Sequence, residues 1–268
     1  MTNISSIMSK DPICANEDST ISFAIALMVK HSVGSVFIVN NDSVPHGILT
    51  ERELLSEIAA HSRVRGTLSV TDIMSRSFIL ITPTTKVRDA ARRMLDEKVR
   101  LAVAKKSGKL MGVVTTTDFL RFFNSTAKDY AIEDAIHKKV ATLEFSRPVV
   151  DAIKLMEEKR VGSVIVTRAA LPFGIISERD LLRILSKGRK KDFGSVTLER
   201  VATQPLISAP YGVMAREASS IMLARKIKRL PIFKGDKLIG VVTTKDLVRG
   251  YCASIQSRLV KTEVMKIR

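Results

Sequence analysis

Gly47-Ile48-Leu49-Thr50-Glu51-Arg52-Glu53 opens the reading of this chain, because the same string returns three more times. The copies are Gly112-Val113-Val114-Thr115-Thr116-Thr117-Asp118, Gly174-Ile175-Ile176-Ser177-Glu178-Arg179-Asp180 and Gly240-Val241-Val242-Thr243-Thr244-Lys245-Asp246. The glycines recur at a nearly constant interval. Such a fixed period marks a repeat architecture in which each copy is one supersecondary unit.

A second marker keeps step. Ala-x-x-x-Met occurs at Ala24/Met28, Ala90/Met94, Ala152/Met156 and Ala218/Met222, and each Met precedes its glycine by almost the same distance. A separation of four puts Ala and Met on one helical face, so these side chains are expected in the core. Between Met and glycine lies an apolar run such as Val36-Phe37-Ile38-Val39 or Leu230-Pro231-Ile232-Phe233, which reads as a strand. Polar turns follow at Lys106-Ser107-Gly108-Lys109 and Lys234-Gly235-Asp236-Lys237. Ser or Thr followed three residues later by Asp or Glu is a capping-box pattern, so a closing helix is expected to start at the repeated hydroxyl residue. Each unit is therefore predicted to be a short strand, a helix, two strands and a second helix.

The units also pair by kind. Val33-Gly34-Ser35-Val36 matches Val161-Gly162-Ser163-Val164, and Thr50-Glu51-Arg52-Glu53 parallels Ser177-Glu178-Arg179-Asp180. Units one and three are thus sisters, as are units two and four, which share Gly-Val-Val-Thr-Thr. The offset from Gly47 to Gly174 is nearly the same as that from Gly112 to Gly240, which points to duplication of a two-unit module. Two superposable halves are expected, 1–126 and 135–268. The polar segment Asn124–Lys139 joins them with some helix, and a second linker is the basic Lys187-Gly188-Arg189-Lys190-Lys191.

Composition narrows the function. Lys and Arg outnumber Asp and Glu by 44 to 27, a formal charge of +17, so an anionic partner is expected. With 5% aromatic residues and no Trp there is little material for base-stacking platforms. The four histidines, His31, His46, His61 and His137, fall at unrelated phases of the repeat, and no Walker loop, GxSxG or zinc-ligand spacing is present. An enzyme, a catalytic cofactor and a bound metal are not expected. Two distant cysteines, Cys14 and Cys252, with no signal-like start, suit a reducing cytoplasm, and no run of eighteen apolar residues suggests a membrane span.

The repeat resembles the CBS domain family in its Ala-x-x-x-Met helix and its G-h-h-[ST]-x-x-D signature, over nearly the whole chain. The resemblance implies an α/β fold of the α+β type. Four repeats, at 1–62, 66–126, 135–188 and 195–252 with a basic tail at 253–268, would each form a small sheet with two helices, paired into two pseudo-twofold modules that form a disc. It also implies a ligand containing adenosine: AMP, ADP, ATP or S-adenosylmethionine. By the family's motif, Thr115 and Asp118, Ser177 and Asp180, and Thr243 and Asp246 carry over, the aspartate holding the ribose diol and the hydroxyl lying near ribose and phosphate. Unit one departs, with Glu53 in the aspartate's place. These pairs are equally well read as helix caps alone.

Phosphate requires cations, and aligning the Met residues puts Arg100 opposite Lys228, with Arg229 next to it. The alternative is that these are ordinary solvated charges. Gly34 and Gly162 stand at that position in the sister units and are read as allowing the backbone close to a ligand. Apolar strands ending at Thr82 and Ala209 are candidates for the adenine slot, or plain core. Three functions follow: an adenine-nucleotide sensor acting on a protein partner through module arrangement, a nucleic-acid-binding protein using the positive surface, and an adaptor whose pockets have decayed. The disc forms either within a monomer or between two chains of a homodimer.

Overall fold

The computed structural model describes residues 2–97, 99–104, 107–186 and 193–254. Lys106, the linker Lys187–Lys191 and tail residues 255–268 lie outside the described residues.

Each unit contributes three strands of the same topology to a sheet of its own, and in the sheet of unit two a fourth strand is added from the start of the chain. Unit one contributes β2 (Cys14–Asn16), α1 (Ile21–Lys30), β3 (Ser35–Val39), β4 (Pro45–Thr50) and α2 (Glu51–His61), preceded by a short β1 (Ser9–Lys10). Unit two has β5 (Phe78–Ile81), α3 (Val87–Asp96), β6 (Arg100–Ala104), β7 (Leu110–Val114) and α4 (Thr116–Thr126). Unit three has β8 (Thr142–Glu144), α5 (Val149–Glu158), β9 (Ser163–Arg168), β10 (Leu171–Ser177) and α6 (Glu178–Ser186). Unit four has β11 (Ala209–Pro210), α7 (Ala215–Arg225), β12 (Arg229–Lys234), β13 (Lys237–Thr243) and a closing helix α8 over residues 244–254. In every sheet the first strand runs parallel to the second, as its helical crossover requires, and the second runs antiparallel to the third across a tight turn.

The Ala/Met marker faces inward in all four units: Met28 and Met156 are fully buried and Met94 and Met222 nearly so. The closing helices begin at Thr50, Thr115, Ser177 and Thr243, whose backbone N–H groups donate to the carboxylate three residues on, at 2.8 to 3.0 Å. Glu53 makes the same box as the aspartates, so the extra methylene leaves the cap intact.

Sister equivalence is visible in how modules close. The linker before unit one pairs with unit two (Ser9 with Val113), and the linker before unit two pairs with unit one (Ser75 with Ile48). In the second module His137 pairs with Val241 and Thr203 with Ile175, the same crossings one module further along the chain. The repeated glycine explains itself here. A Cβ on Gly174 would lie 2.9 Å from the Thr203 carbonyl, and one on Gly240 2.7 Å from that of His137. Only glycine lets the partner unit's linker run this close.

Modules join through helices. α2 packs on α5 and α1 on α6, linking units one and three, while α4 packs on α7, linking units two and four. Leu55 and Ile58 accordingly belong to the core of unit three, and Leu182 to that of unit one. The cores of units two and four merge around Phe119, Phe123 and Tyr251, with Phe123 and Tyr251 stacked at 6.0 Å. The segment between modules, which has a 3-10 turn at Glu133–Ala135, is anchored by Tyr130. Its ring meets Tyr251 edge-on at 5.0 Å and its hydroxyl donates to the Leu247 carbonyl at 2.7 Å. A Cβ on Gly250 would collide with that ring. Helix propensity alone would favour Gly250→Ala by about 1 kcal/mol, yet overpacking costs about 1–3 kcal/mol. The substitution is expected to lower the melting temperature, and to raise it once Tyr130→Ala has emptied the space.

Candidate functional site

The crossings bring the N-termini of all four closing helices to one place. A cavity of about 590 Å³ lies between the units, lined among others by Thr50, Glu51 and Arg52 of unit one, Arg100, Thr115 and Thr116 of unit two, Gly162, Ser163 and Glu178 of unit three, and Lys228, Arg229, Thr243 and Thr244 of unit four. Its lining residues include seven Lys or Arg and three Glu. The positive ends of the helix dipoles add to that excess.

Arg100, Lys228 and Arg229 come together here, with Thr115 and Thr243 beside them. Arg100 and Arg229 begin strands β6 and β12, so the strand entry holds the cations at the cavity wall. Lys228 is held below the ordinary lysine range, chiefly by burial and further by Arg100, Arg179 and Arg229, with Glu51 opposing the shift. An anion bound beside Lys228 favours its charged form. Binding is thus expected to take up protons at alkaline pH, and affinity to fall as pH rises through the depressed value toward that of an ordinary lysine, about 10.4. Titration calorimetry in two buffers of different ionisation enthalpy checks the proton uptake.

The three aspartates stand behind this wall. Asp118 is 7%, Asp180 9% and Asp246 8% exposed. In each, Oδ2 accepts the N–H and hydroxyl of the cap residue, and Oδ1 accepts from an arginine three residues on, Arg121, Arg183 or Arg249. Two of them also receive a group from the linker of the neighbouring unit: Thr203 Oγ1 donates to Asp180 Oδ1 at 3.2 Å, and His137 Nε2 lies 3.0 Å from Asp246 Oδ2. A carboxylate offers about four lone-pair sites. Lone-pair capacity remains on Oδ1 of Asp118 and Asp246, whereas each oxygen of Asp180 already accepts two bonds.

Unit one has Ser56 where the others carry arginine. A second cavity of about 390 Å³, lined by Glu53, Ser56, Glu57, Ile73 and Ser75, meets the first at Glu53 and Ser75.

Two groups of residues lie elsewhere. Thr82 is exposed at the far end of β5, its hydroxyl 3.1 Å from that of Thr84, whereas Ser77 at the near end lines the cavity. Ala209 pairs with Ile232 and is buried in the merged core of units two and four. Gly34 and Gly162 make room for protein rather than for a ligand. A Cβ on Gly34 would meet the Glu51 carboxylate at 2.9 Å, and one on Gly162 would collide with the Arg229 guanidinium.

Those neighbours form a charge network that motif reading left out. Glu51 Oε2 lies 3.3 Å from Lys228 Nζ and its Oε1 3.9 Å from Arg179 Nε. Glu178 lies 3.2 Å from Arg229 and 2.9 Å from Arg52. Arg52 also donates to the carbonyls of Met156 and Val161 in unit three, and Arg179 to those of Ser32 in unit one and Lys226 in unit four. The signal was the Glu-Arg pair shared by the sister motifs at 51–52 and 178–179.

The family model described as CBS domain matches residues 4–60, 70–125, 132–187 and 198–252. Among curated relatives, the uncharacterized protein MJ1404 of Methanocaldococcus jannaschii is 24% identical over 94% of this chain and 62% of its own length. MJ1225 of the same organism is 25% identical over 66% of this chain and 68% of its own. The solved structure of MJ1225, proposed as an archaeal homolog of g-AMPK, superposes with a TM-score of 0.84 at 18% identity, covering 93% of this chain and all of that one. A conserved uncharacterized protein from Pyrococcus horikoshii gives 0.65 at 20% identity, again over 93% of this chain and all of that one. No described helix is long and apolar enough to cross a membrane.

Proposed function

Because this chain belongs to the CBS domain family and is built of four of its repeats, we propose that it is a non-catalytic regulator that senses an adenine nucleotide. The nucleotide binds with its phosphates in the central cavity. The observation that carries this reading is the convergence of Arg100, Lys228 and Arg229 with the helix ends at Thr115 and Thr243, since fixed cations beside the positive ends of helix dipoles favour phosphate. Asp118, Asp180 and Asp246, each with its hydroxyl partner, are the proposed ribose ligands. The likeness to MJ1225, itself proposed as a homolog of g-AMPK, supports a sensing role. Cavity walls come from both modules, so a bound anion changes how the modules fit together, and a protein partner reads that change.

Isothermal titration with AMP, ADP, ATP and S-adenosylmethionine tests the proposal. Saturable binding of at least one at micromolar concentration is expected, and no heat with any of the four would sink it. The net charge of +17 also supports salt-sensitive binding to duplex DNA. Retention on DNA that survives high salt would favour a nucleic-acid target over the sensor reading.

A further inference from the structure

We propose that Glu51 and Glu178 are resident counter-anions that set how much charge a ligand must carry: they occupy Lys228 and Arg229, so a monophosphate that merely replaces them binds weakly, and a polyphosphate binds by also engaging the rest of the cavity wall. This deepens the nucleotide reading and rests on it for the ligand's adenosine end.

Glu51 is 4% exposed, and room for its carboxylate is left by Gly34, as room for the Glu178 and Arg229 pair is left by Gly162. Each carboxylate bridges two cations: Glu51 meets Lys228 and Arg179, and Glu178 meets Arg229 and Arg52. Lys228 and Arg229 are adjacent residues, so one anion engaging both competes with both carboxylates at once. A group carrying no more charge than the pair it replaces gains little, since one set of charge-assisted bonds is exchanged for another. A group carrying more gains from the rest of the wall. The seven Lys and Arg among the lining residues exceed the three Glu by four charges, and Arg100, Lys139, Arg160 and Lys245 contribute that excess. Displacement leaves each carboxylate beside one arginine, Arg52 at 2.9 Å from Glu178 but Arg179 at 3.9 Å from buried Glu51, so releasing Glu51 is the costlier step.

Arg52 and Arg179 also connect this exchange to the rest of the molecule. Each donates to backbone carbonyls across the contact between units one and three. A carboxylate released from unit four leans on the arginine that fastens the two modules, so ligand charge is converted into a change at that contact.

The experiment is titration of the full chain with AMP, ADP, ATP and inorganic tripolyphosphate, without divalent cations and at constant ionic strength. Wild-type protein and the Glu51→Gln/Glu178→Gln variant are compared, with melting temperatures measured alongside. For wild type, affinity is expected to rise about tenfold with each added phosphate. In the variant AMP and ATP should both tighten about tenfold, because the cost of releasing the two carboxylates is common to them and the wall cations that favour ATP are untouched. Each single Glu→Gln variant should show part of the effect, which keeps the test open if the double variant folds poorly. AMP and ATP affinities both unchanged in folded variants overturn the inference, as does failure of tripolyphosphate to bind either protein. Tripolyphosphate binding as tightly as ATP would overturn the adenosine reading and leave this one standing.

Discussion

Replacing Lys228 and Arg229 together by methionine is expected to weaken adenine-nucleotide binding about a hundredfold. A hydrogen bond to a charged group contributes roughly 1.5–3 kcal/mol, and the loss of two such donors is partly offset because the unliganded protein no longer has to release Glu51 and Glu178 from them. The same replacement leaves Glu51, 4% exposed, with only Arg179 at 3.9 Å. Breaking a buried pair by removing one partner costs about 3–5 kcal/mol, so this variant should also melt early. Adding Glu51→Gln and Glu178→Gln removes the stranded charges, and neutral replacements of buried pairs are often close to neutral in stability. The fourfold variant should therefore melt near wild type and still fail to bind. Nucleotide affinity equal to wild type in that stable background would remove the cavity from the site.

The repeat, its capping boxes and the inward Ala/Met face were legible because each is a local pattern whose cause sits within a few residues. Thr115 and Asp118 announce a helix start by their spacing alone, and Ala90 and Met94 a buried face. The cations at the strand entries were also legible, since the repeat itself supplies an internal alignment that sets Arg100 opposite Lys228. What a local pattern does not carry is which distant unit will face it. Glu51 and Arg52 occupy ordinary first-turn positions of α2, and nothing within unit one shows that Lys228 and Met156 will be their partners. The same limit applied to Gly34 and Gly162, whose need for space was visible while the occupant was not. Thr82 and Ala209 are candidates by strand membership alone, but it is the end of β5 beside Arg100 that approaches the cavity, and the residues lining the cavity include none from β11. His137 matches no histidine in another unit, so the repeat alone gives it no role. Its counterpart one module earlier is Ser9, a different residue type in the same crossing linker.

Asp180→Ala separates the two roles that one carboxylate can hold. In the unliganded protein Asp180 accepts from the Ser177 N–H and hydroxyl, from Arg183 and from Thr203, so its removal opens the capping box of α6 and removes one of the bonds to the linker of unit four. Loss of a cap costs about 0.5–2 kcal/mol, and the buried N–H left without a partner adds about 1–3 kcal/mol. A total of about 3 kcal/mol corresponds to a fall of roughly 6–12 °C in melting temperature for a chain of this size. Asp246→Ala loses the Thr243 cap and the His137 contact and should behave similarly. If the ribose diol also uses these carboxylates, nucleotide affinity falls about ten- to a hundredfold. Asp180→Asn distinguishes the cases more finely, because an amide oxygen can still accept the Ser177 N–H and restore much of the melting temperature. It offers one acceptor where the carboxylate offers two, and so should not restore ribose binding. Affinity that returns together with stability in Asp180→Asn, or that never falls in Asp180→Ala or Asp246→Ala, identifies the aspartates as caps. The ligand is then held by Thr115, Thr243 and the cations at the cavity wall, with the carboxylates serving only to fix where those helices begin.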